Sequence, residues 1–306
     1  MGTKWRLFRR GRQYDAIVLQ KKLPTWPDLV VLRQCAKRLY YDFDDAIYLK
    51  DSGNGAARSR VRGHRFRRIV AAADQVIAGN RILADHARRW NTQVDVIPSA
   101  VETRGIPLCR YDGSHRPTVI GWIGTAPNLP HLAAIGSALR RLADCRPIEL
   151  RIVSSQPLHL PGVPTRFIRW DRESEAAEIA AFDIGVMPLR PTPFAAGKCG
   201  YKALKYMAAG VPAVVSDVGV NAEIVRHGTD GLVVPPCETF FEALLELIDD
   251  PDKRRRMGHQ ARLRVEEEFS VVAVAQRLAN ALKAASASGR GSNYAALRTS
   301  SSSNSS

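Results

Sequence analysis

The stretch from 182 to 216 constrains the fold of this chain more than any other. It opens on a short apolar run, Phe182-Asp-Ile-Gly-Val-Met-Pro-Leu189. After a loop it continues as Gly197-Lys-Cys-Gly-Tyr-Lys-Ala-Leu-Lys-Tyr-Met-Ala-Ala-Gly-Val-Pro-Ala-Val-Val-Ser216. The pattern reads strand, loop, helix, tight turn, strand. A helix over 201–209 would end at Gly210, a residue suited to a left-handed C-cap, and Pro212 prevents its continuation. Residues 213–216 then read as a buried parallel strand. Lys198, Lys202 and Lys205 fall in the loop and the start of the helix. Lysines three and four apart share a helix face and repel by roughly 0.2–0.5 kcal/mol, and cations at a helix start oppose its dipole. A bound anion would relieve both, and helix starts bind anions. The loop also follows the carboxyl end of a parallel strand, where open α/β sheets take ligands. A solvated lysine face is the alternative.

Strand and helix patterns alternate along the rest of the 306 residues, a length for two domains with parallel sheets covered on both faces. In the first half a buried strand is expected at 15–19, with further strands at 38–43, 75–78 and 94–97 and helices through 58–73 and 81–90. Pro98 closes this half, and 100–116 reads as a linker. A second α/β unit opens at Thr118. Its later strands are expected near 148–153, 165–168, 183–187, 213–216 and 232–234, and helices at 239–249 and 251–283 close it. The Ser- and Gly-rich end, 286–306, has the composition of a disordered tail.

The formal net charge of +15 implies attraction to phosphate, whether in nucleic acid, an anionic membrane or a nucleotide. Much of the excess is arginine at 58–68 and 253–264 and in the basic start, 4–12. Arg58, Arg60, Arg62, Arg65, Arg67 and Arg68 mark a helix with little acid to balance it. It suits an anionic bilayer, where each cation contributes about 1 kcal/mol, and equally a solvated face. No recognised nucleic-acid-binding motif accompanies the charge. The basic start lacks the apolar core of a signal peptide, and no apolar run approaches the roughly 20 residues of a membrane span. Cysteines 35, 109, 145, 199 and 237 have neither metal nor redox spacing, which points to reduced thiols in the cytoplasm. The seven histidines show no metal spacing either.

The central stretch resembles the donor-binding segment of retaining GT-B glycosyltransferases of the family four (group 1) type. The match is best to a bacterial subgroup with the pattern Gly-Lys-Cys-x-x-Lys-Ala-Leu-x-Tyr-Met-Ala-x-Gly-x-Pro. Here that is Gly197, Lys198, Cys199, Lys202, Ala203, Leu204, Tyr206, Met207, Ala208, Gly210 and Pro212. Supporting segments are Tyr41-Asp-Phe-Asp-Asp-Ala-Ile-Tyr48, Ala73-Asp-Gln-Val-Ile-Ala-Gly-Asn80, Gly121-Trp-Ile-Gly-Thr125 and Val218-Gly-Val-Asn-Ala-Glu-Ile-Val-Arg-His-Gly228. The resemblance runs from about 14 to 284.

The resemblance implies an α/β chain of two Rossmann-type parallel-sheet domains facing across a cleft: an acceptor domain at 1–105 and a donor domain at 106–285, whose last helix returns to the first. It also implies that the first domain lacks two or three strands before Tyr14, which would leave an apolar edge at 15–19 open to self-association. The implied activity is transfer of a sugar from a nucleoside diphosphate sugar to a glycan or lipid-linked acceptor, in the cytoplasm or on the inner membrane face, for cell-envelope polysaccharide. The resemblance implies no cofactor or metal; the charge pattern adds an anionic membrane surface as a candidate partner and does not favour nucleic acid. Charge develops on the leaving diphosphate and needs cations or helix amides. Lys198 and Lys202 match the basic positions of the family. Gly124, Thr125 and Asn128 form the turn whose amides face phosphate. Gly219, Val220, Asn221 and Glu223 form a second turn near the donor. The family often carries two glutamates separated by seven residues, and this chain has Gly197 and Lys205 there, so Lys205 either contacts phosphate or faces solvent. Asp44 and Asp45, with Asp42 at a strand end, are expected either to face the cleft as catalytic carboxylates beside Lys202, or to cap a helix and pair with the arginine-rich helix. Asp183 is expected to be structural. A non-catalytic remnant that binds nucleotide sugar or a partner protein is the alternative function.

Overall fold

The computed structural model describes residues 10–51, 56–111, 117–236 and 239–287. Most of the basic start, part of the 100–116 linker, Cys237, His115 and nearly all of the Ser-rich end lie outside them. The chain divides into two compact units, 1–98 with 275–306, and 99–274.

Unit 1 runs β1 (Ile17–Gln20), α1 (Trp26–Cys35), β2 (Leu39–Phe43), a hairpin of β3 (Leu49–Asp51) and β4 (Ala56–Arg58), α2 (Arg60–Ala72), β5 (Gln75–Ala78), α3 (Arg81–Arg88) and β6 (Val94–Val96). Four strands pair in parallel in the order β1-β2-β5-β6. Helix starts are set by side chains that accept an orphan amide: Ser59 from Arg62 and Asn80 from Leu83. An aromatic cluster covers the sheet. Phe66 packs edge-on against Phe43 at 5.0 Å, and His86 stacks on Tyr48 at 3.7 Å. Burial, then Arg89, pushes the His86 imidazole down to about 4, so it packs as a neutral ring.

β1 lies at the edge of its sheet, where the resemblance implies an open edge; its burial differs from expectation, since alternate residues face outward, with Val18 56% exposed. Helix α1 and the β3–β4 hairpin were not foreseen. The α1 segment begins Trp26-Pro-Asp, and proline in a first helical turn is compatible with a helix start.

Unit 2 runs β7 (Thr118–Ile123), α4 (Leu129–Ala133), α5 (Gly136–Cys145), β8 (Ile148–Ser154), β9 (Thr165–Arg169), α6 (Glu175–Ala180), β10 (Ile184–Met187), α7 (Pro193–Ala196), α8 (Tyr201–Ala208), β11 (Ala213–Ser216), α9 (Asn221–Ile224), β12 (Gly231–Val234), α10 (Phe240–Asp249) and α11 (Pro251–Arg264). Its six strands are all parallel, in the order β12-β11-β10-β7-β8-β9. Leu139, Leu150, Ile152, Ile184, Val214 and Phe240 belong to its core. Helix α8 ends as expected, with Gly210 at φ +70°. The single helix expected over 251–283 is broken. A wider turn occupies 265–269 before α12 (Val271–Ala287). The cause is a distant strand-like contact: Val101 donates to the Phe269 carbonyl and accepts from the Val271 amide. Ser270 then caps the new helix by accepting from Ala273.

Two buried polar groups clamp the centre of this sheet. Asp183 accepts from the Val119 amide at 2.7 Å, in line with a structural role. The Tyr206 hydroxyl, on α8, accepts from the Ile123 amide at 3.1 Å and donates to the Val186 carbonyl at 3.2 Å. It joins the ends of β7 and β10 to the helix that packs across them. Tyr206→Phe keeps the ring but leaves a buried amide without a partner, which costs about 1–3 kcal/mol. Urea unfolding of the variant is expected to show that loss with a native-like circular dichroism spectrum; unchanged stability would contradict this role for the hydroxyl.

Candidate functional site

The strand order of unit 2 reverses at β7, with β8 and β9 on one side and β10 to β12 on the other. A reversal of this kind opens a crevice outside the carboxyl ends of the two strands concerned, the usual ligand position in open α/β sheets. The turn after β7 and the segment between β10 and β11 reach this place.

Lys202 occupies it. Its Nζ lies 4.5 Å from the centre of the Trp122 ring. A Cβ on Gly124 would stand 2.6 Å from the Trp122 ring and 2.8 Å from that Nζ, so the absence of a side chain at 124 is what lets the ammonium lie against the turn. Among the described residues no carboxylate pairs with Lys202. Burial, reinforced by Lys198, pushes its pKa down to about 7. A cation–π contact contributes roughly 0.5–2 kcal/mol. The pKa falls despite that contact, so desolvation wins over it.

The other expected donor residues separate into groups. Lys198 lies near enough to Lys202 to lower its pKa, and its Nζ is 5.2 Å over the Phe194 ring. Thr125 and Asn128 close their own turn, Asn128 Nδ2 donating to Thr125 Oγ1 at 2.8 Å. Gly219, at φ +68°, passes so close to the end of α7 that a Cβ would stand 2.5 Å from the Ala196 carbonyl oxygen. Val220 is buried beside it. Asn221 donates to the Ser216 carbonyl at 2.9 Å, while its buried Oδ1 has no hydrogen-bond partner. That oxygen faces Gly200, the left-handed residue before α8. Glu223 is exposed, and its carbonyl accepts from Arg264.

Lys205 is drawn away from Lys202, although the two share a helix. Its Nζ donates to Glu175 Oε1 on α6 at 2.6 Å and lies 4.9 Å from the Tyr201 ring. The second Glu175 oxygen accepts from Trp170 Nε1. Asp44 and Asp45 belong to unit 1. Both pair with Lys21, Asp45 at 3.5 Å, and Gln20 donates to Asp42 at 2.6 Å. Burial raises the Asp42 pKa. Lys21 itself sits in left-handed backbone at φ +52°. Asp44 and Asp45 thus meet a lysine at the end of β1.

Sequence reading missed Trp122, Glu175 and the Tyr206 hydroxyl. Trp122 lies in the quoted Gly121-Trp-Ile-Gly-Thr125 segment, two residues before the glycine that frees Lys202. Nothing local marks Glu175, which meets Lys205 from 30 residues upstream. Among the described residues no group of three His, Cys, Asp or Glu side chains could hold a metal ion, and no helix is long and apolar enough to cross a membrane.

Residues 117–250 match the family described as "Glycosyl transferases group 1". A D-inositol 3-phosphate glycosyltransferase from Nocardia farcinica is 26% identical over 236 residues, covering 64% of this chain and 49% of the relative. A GDP-mannose-dependent monoacylated alpha-(1-6)-phosphatidylinositol monomannoside mannosyltransferase from Corynebacterium glutamicum is 37% identical over 109 residues, covering 34% and 28%. This chain spans half or less of the length of these curated relatives. Among solved structures, sucrose-phosphate synthase from Thermosynechococcus elongatus superimposes with a TM-score of 0.74 at 20% identity, over 92% of this chain and 76% of that one. Anabaena HepE in complex with UDP and glucose gives 0.71 at 19%, over 92% and 81%. This likeness establishes the fold: two parallel-sheet α/β units of the GT-B kind.

The Lys202 geometry has a consequence for stability. Its folded pKa, about 7, lies below the ordinary value of 10.5. Between these two pH values the unfolded chain binds more protons, so stability rises with pH through that window. Relative to Lys202→Met, the wild type is expected to gain stability from pH 7 to 10 and to show a constant difference below 7. Urea titrations at stepped pH measure this; a difference that stays flat from 7 to 10 would show that the ammonium is not desolvated.

Proposed function

Because residues 117–250 belong to the group 1 glycosyl transferases, we propose that this chain transfers a sugar from a nucleoside diphosphate sugar, with retention of anomeric configuration, to a glycan or lipid-linked acceptor of the cell envelope. The observation that carries the reading is Lys202, a desolvated ammonium with no carboxylate partner among the described residues, at the switch point of the unit 2 sheet. Breaking the bond between the sugar C1 and the diphosphate oxygen leaves negative charge on that oxygen. Lys202 meets that charge, with Lys198 behind it. Interactions that strengthen as charge develops lower the barrier. The turn at Gly124, Thr125 and Asn128 and the turn at Gly219, Val220, Asn221 and Glu223 flank the donor. Asp44 or Asp45 contacts acceptor or sugar hydroxyls. The nucleotide in the HepE complex and the phosphatidylinositol-linked acceptor in the mannosyltransferase name support the donor and acceptor classes. The reaction runs in the cytoplasm.

A second reading has its own observation. Lys205 is neutralised by Glu175, and position 197 is glycine, so neither carboxylate expected from the resemblance is in place. A chain of this kind could bind nucleotide sugar without turning it over.

A panel of nucleotide sugars with product analysis by NMR separates the two. Turnover with a retained anomeric configuration is expected; binding without turnover favours the second reading. Within either, Lys202→Ala is expected to weaken nucleoside diphosphate binding about tenfold or more, the loss of one charge-assisted hydrogen bond. Lys205→Ala should change it less, since that ammonium is already engaged. Equal calorimetric affinities for wild type and Lys202→Ala would remove Lys202 from the site.

A further inference from the structure

The arginine-rich helix of unit 1 is left unneutralised by its own fold. On α2, Arg60, His64, Arg67 and Arg68 recur at the first, fifth, eighth and ninth positions, a spacing that lines one helix face. Arg60, Val61, His64 and Arg67 are exposed, while Phe66, Ile69 and Val70 bury the opposite side. Among the described residues no carboxylate pairs with Arg60, Arg65, Arg67 or Arg68. The acids nearby in sequence are taken elsewhere: Asp74 by Arg33, Asp85 by Arg88, Asp44 and Asp45 by Lys21. Partial burial, then Arg68 and Arg67, holds the His64 imidazole below its ordinary pKa, a local sign of an uncompensated positive field.

Apolar surface is set into this face. Val61, between two arginines, is 61% exposed, and Trp26 on α1 is 39% exposed beneath Arg68, whose guanidinium lies 4.5 Å over its ring. Tryptophan with an arginine over its ring suits a bilayer interface, where the indole settles among headgroups. Arg65 also stands on the rim of an apolar hollow of about 680 Å³, together with Arg10 and Lys22.

We propose that this face of unit 1, built from Arg60, Val61, Arg67 and the Arg68–Trp26 pair, docks on a bilayer containing anionic lipids. The arginines meet lipid phosphates, while Val61 and Trp26 enter the headgroup layer. The arrangement favours a bilayer over a nucleic acid duplex because the cations surround exposed apolar side chains, Val61 and Trp26, which a headgroup layer buries and a phosphate backbone does not.

The test is flotation of the full chain with vesicles of phosphatidylcholine alone and of phosphatidylcholine mixed with phosphatidylserine, at low and physiological salt. Wild type should bind only the mixed vesicles, and more weakly as salt rises. Arg60→Gln with Arg67→Gln should lower that binding roughly thirtyfold, the loss of two cations at an anionic surface. Arg255→Gln with Arg256→Gln on α11 removes the same charge elsewhere and should change it little. Both pairs are exposed, and unchanged thermal melting confirms that each variant folds. Val61→Asp should weaken binding without lowering the count of cations. No binding to mixed vesicles, equal loss from the two double variants, or binding to duplex DNA that displaces the vesicles would each overturn the proposal.

Discussion

A buried ammonium that no acid pairs with among the described residues is a costly thing to build, and unit 2 is organised around one. Tyr206 ties α8 to the ends of β7 and β10, which fixes where the second residue of that helix points. Gly124 clears the space beside it, and Trp122 supplies a floor. Glu175 takes the neighbouring Lys205 and leaves Lys202 alone. A carboxylate beside Lys202 would raise its pKa again and stabilise the fold. None pairs with it among the described residues, and that link from local packing to an unbalanced charge is the basis of the proposed function.

Unit 1 handles charge differently. Its acids are paired within a few residues of strand ends, Asp44 and Asp45 with Lys21, Asp42 with Gln20. Arg60, Arg65, Arg67 and Arg68 are gathered on one helix, where no carboxylate pairs with them among the described residues. The +15 of the whole chain is thus unevenly distributed in effect: one desolvated cation suited to a small phosphate ligand, and one solvated array suited to an extended anionic surface.

Much of this was legible in the sequence where the signal was local. β5 falls on 75–78 and β11 on 213–216, residue for residue, because each is a short apolar run beside a turn. Gly210 and Pro212 placed the end of α8 for the same reason. Signals failed where the deciding contact came from far along the chain. The break at 265–270 depends on Val101, which no periodicity within 251–283 could reveal. The separation of Lys205 from Lys202 depends on Glu175. The exposure of β1 depends on its position at the sheet edge, which the pattern of 15–19 alone does not encode, and α1 was hidden behind a start containing Pro24 and Pro27. Lys202 itself was found from spacing, but its depressed pKa rests on Trp122 and Lys198, which only folding brings to it.

The most direct measurement is a crystal structure of the full chain with a bound nucleoside diphosphate. The account predicts the diphosphate at the carboxyl ends of β7 and β10, with Lys202 Nζ within hydrogen-bond distance of a phosphate oxygen and the Gly124 turn alongside. A diphosphate bound elsewhere, with Lys202 still resting on Trp122 and touching no phosphate, would contradict it.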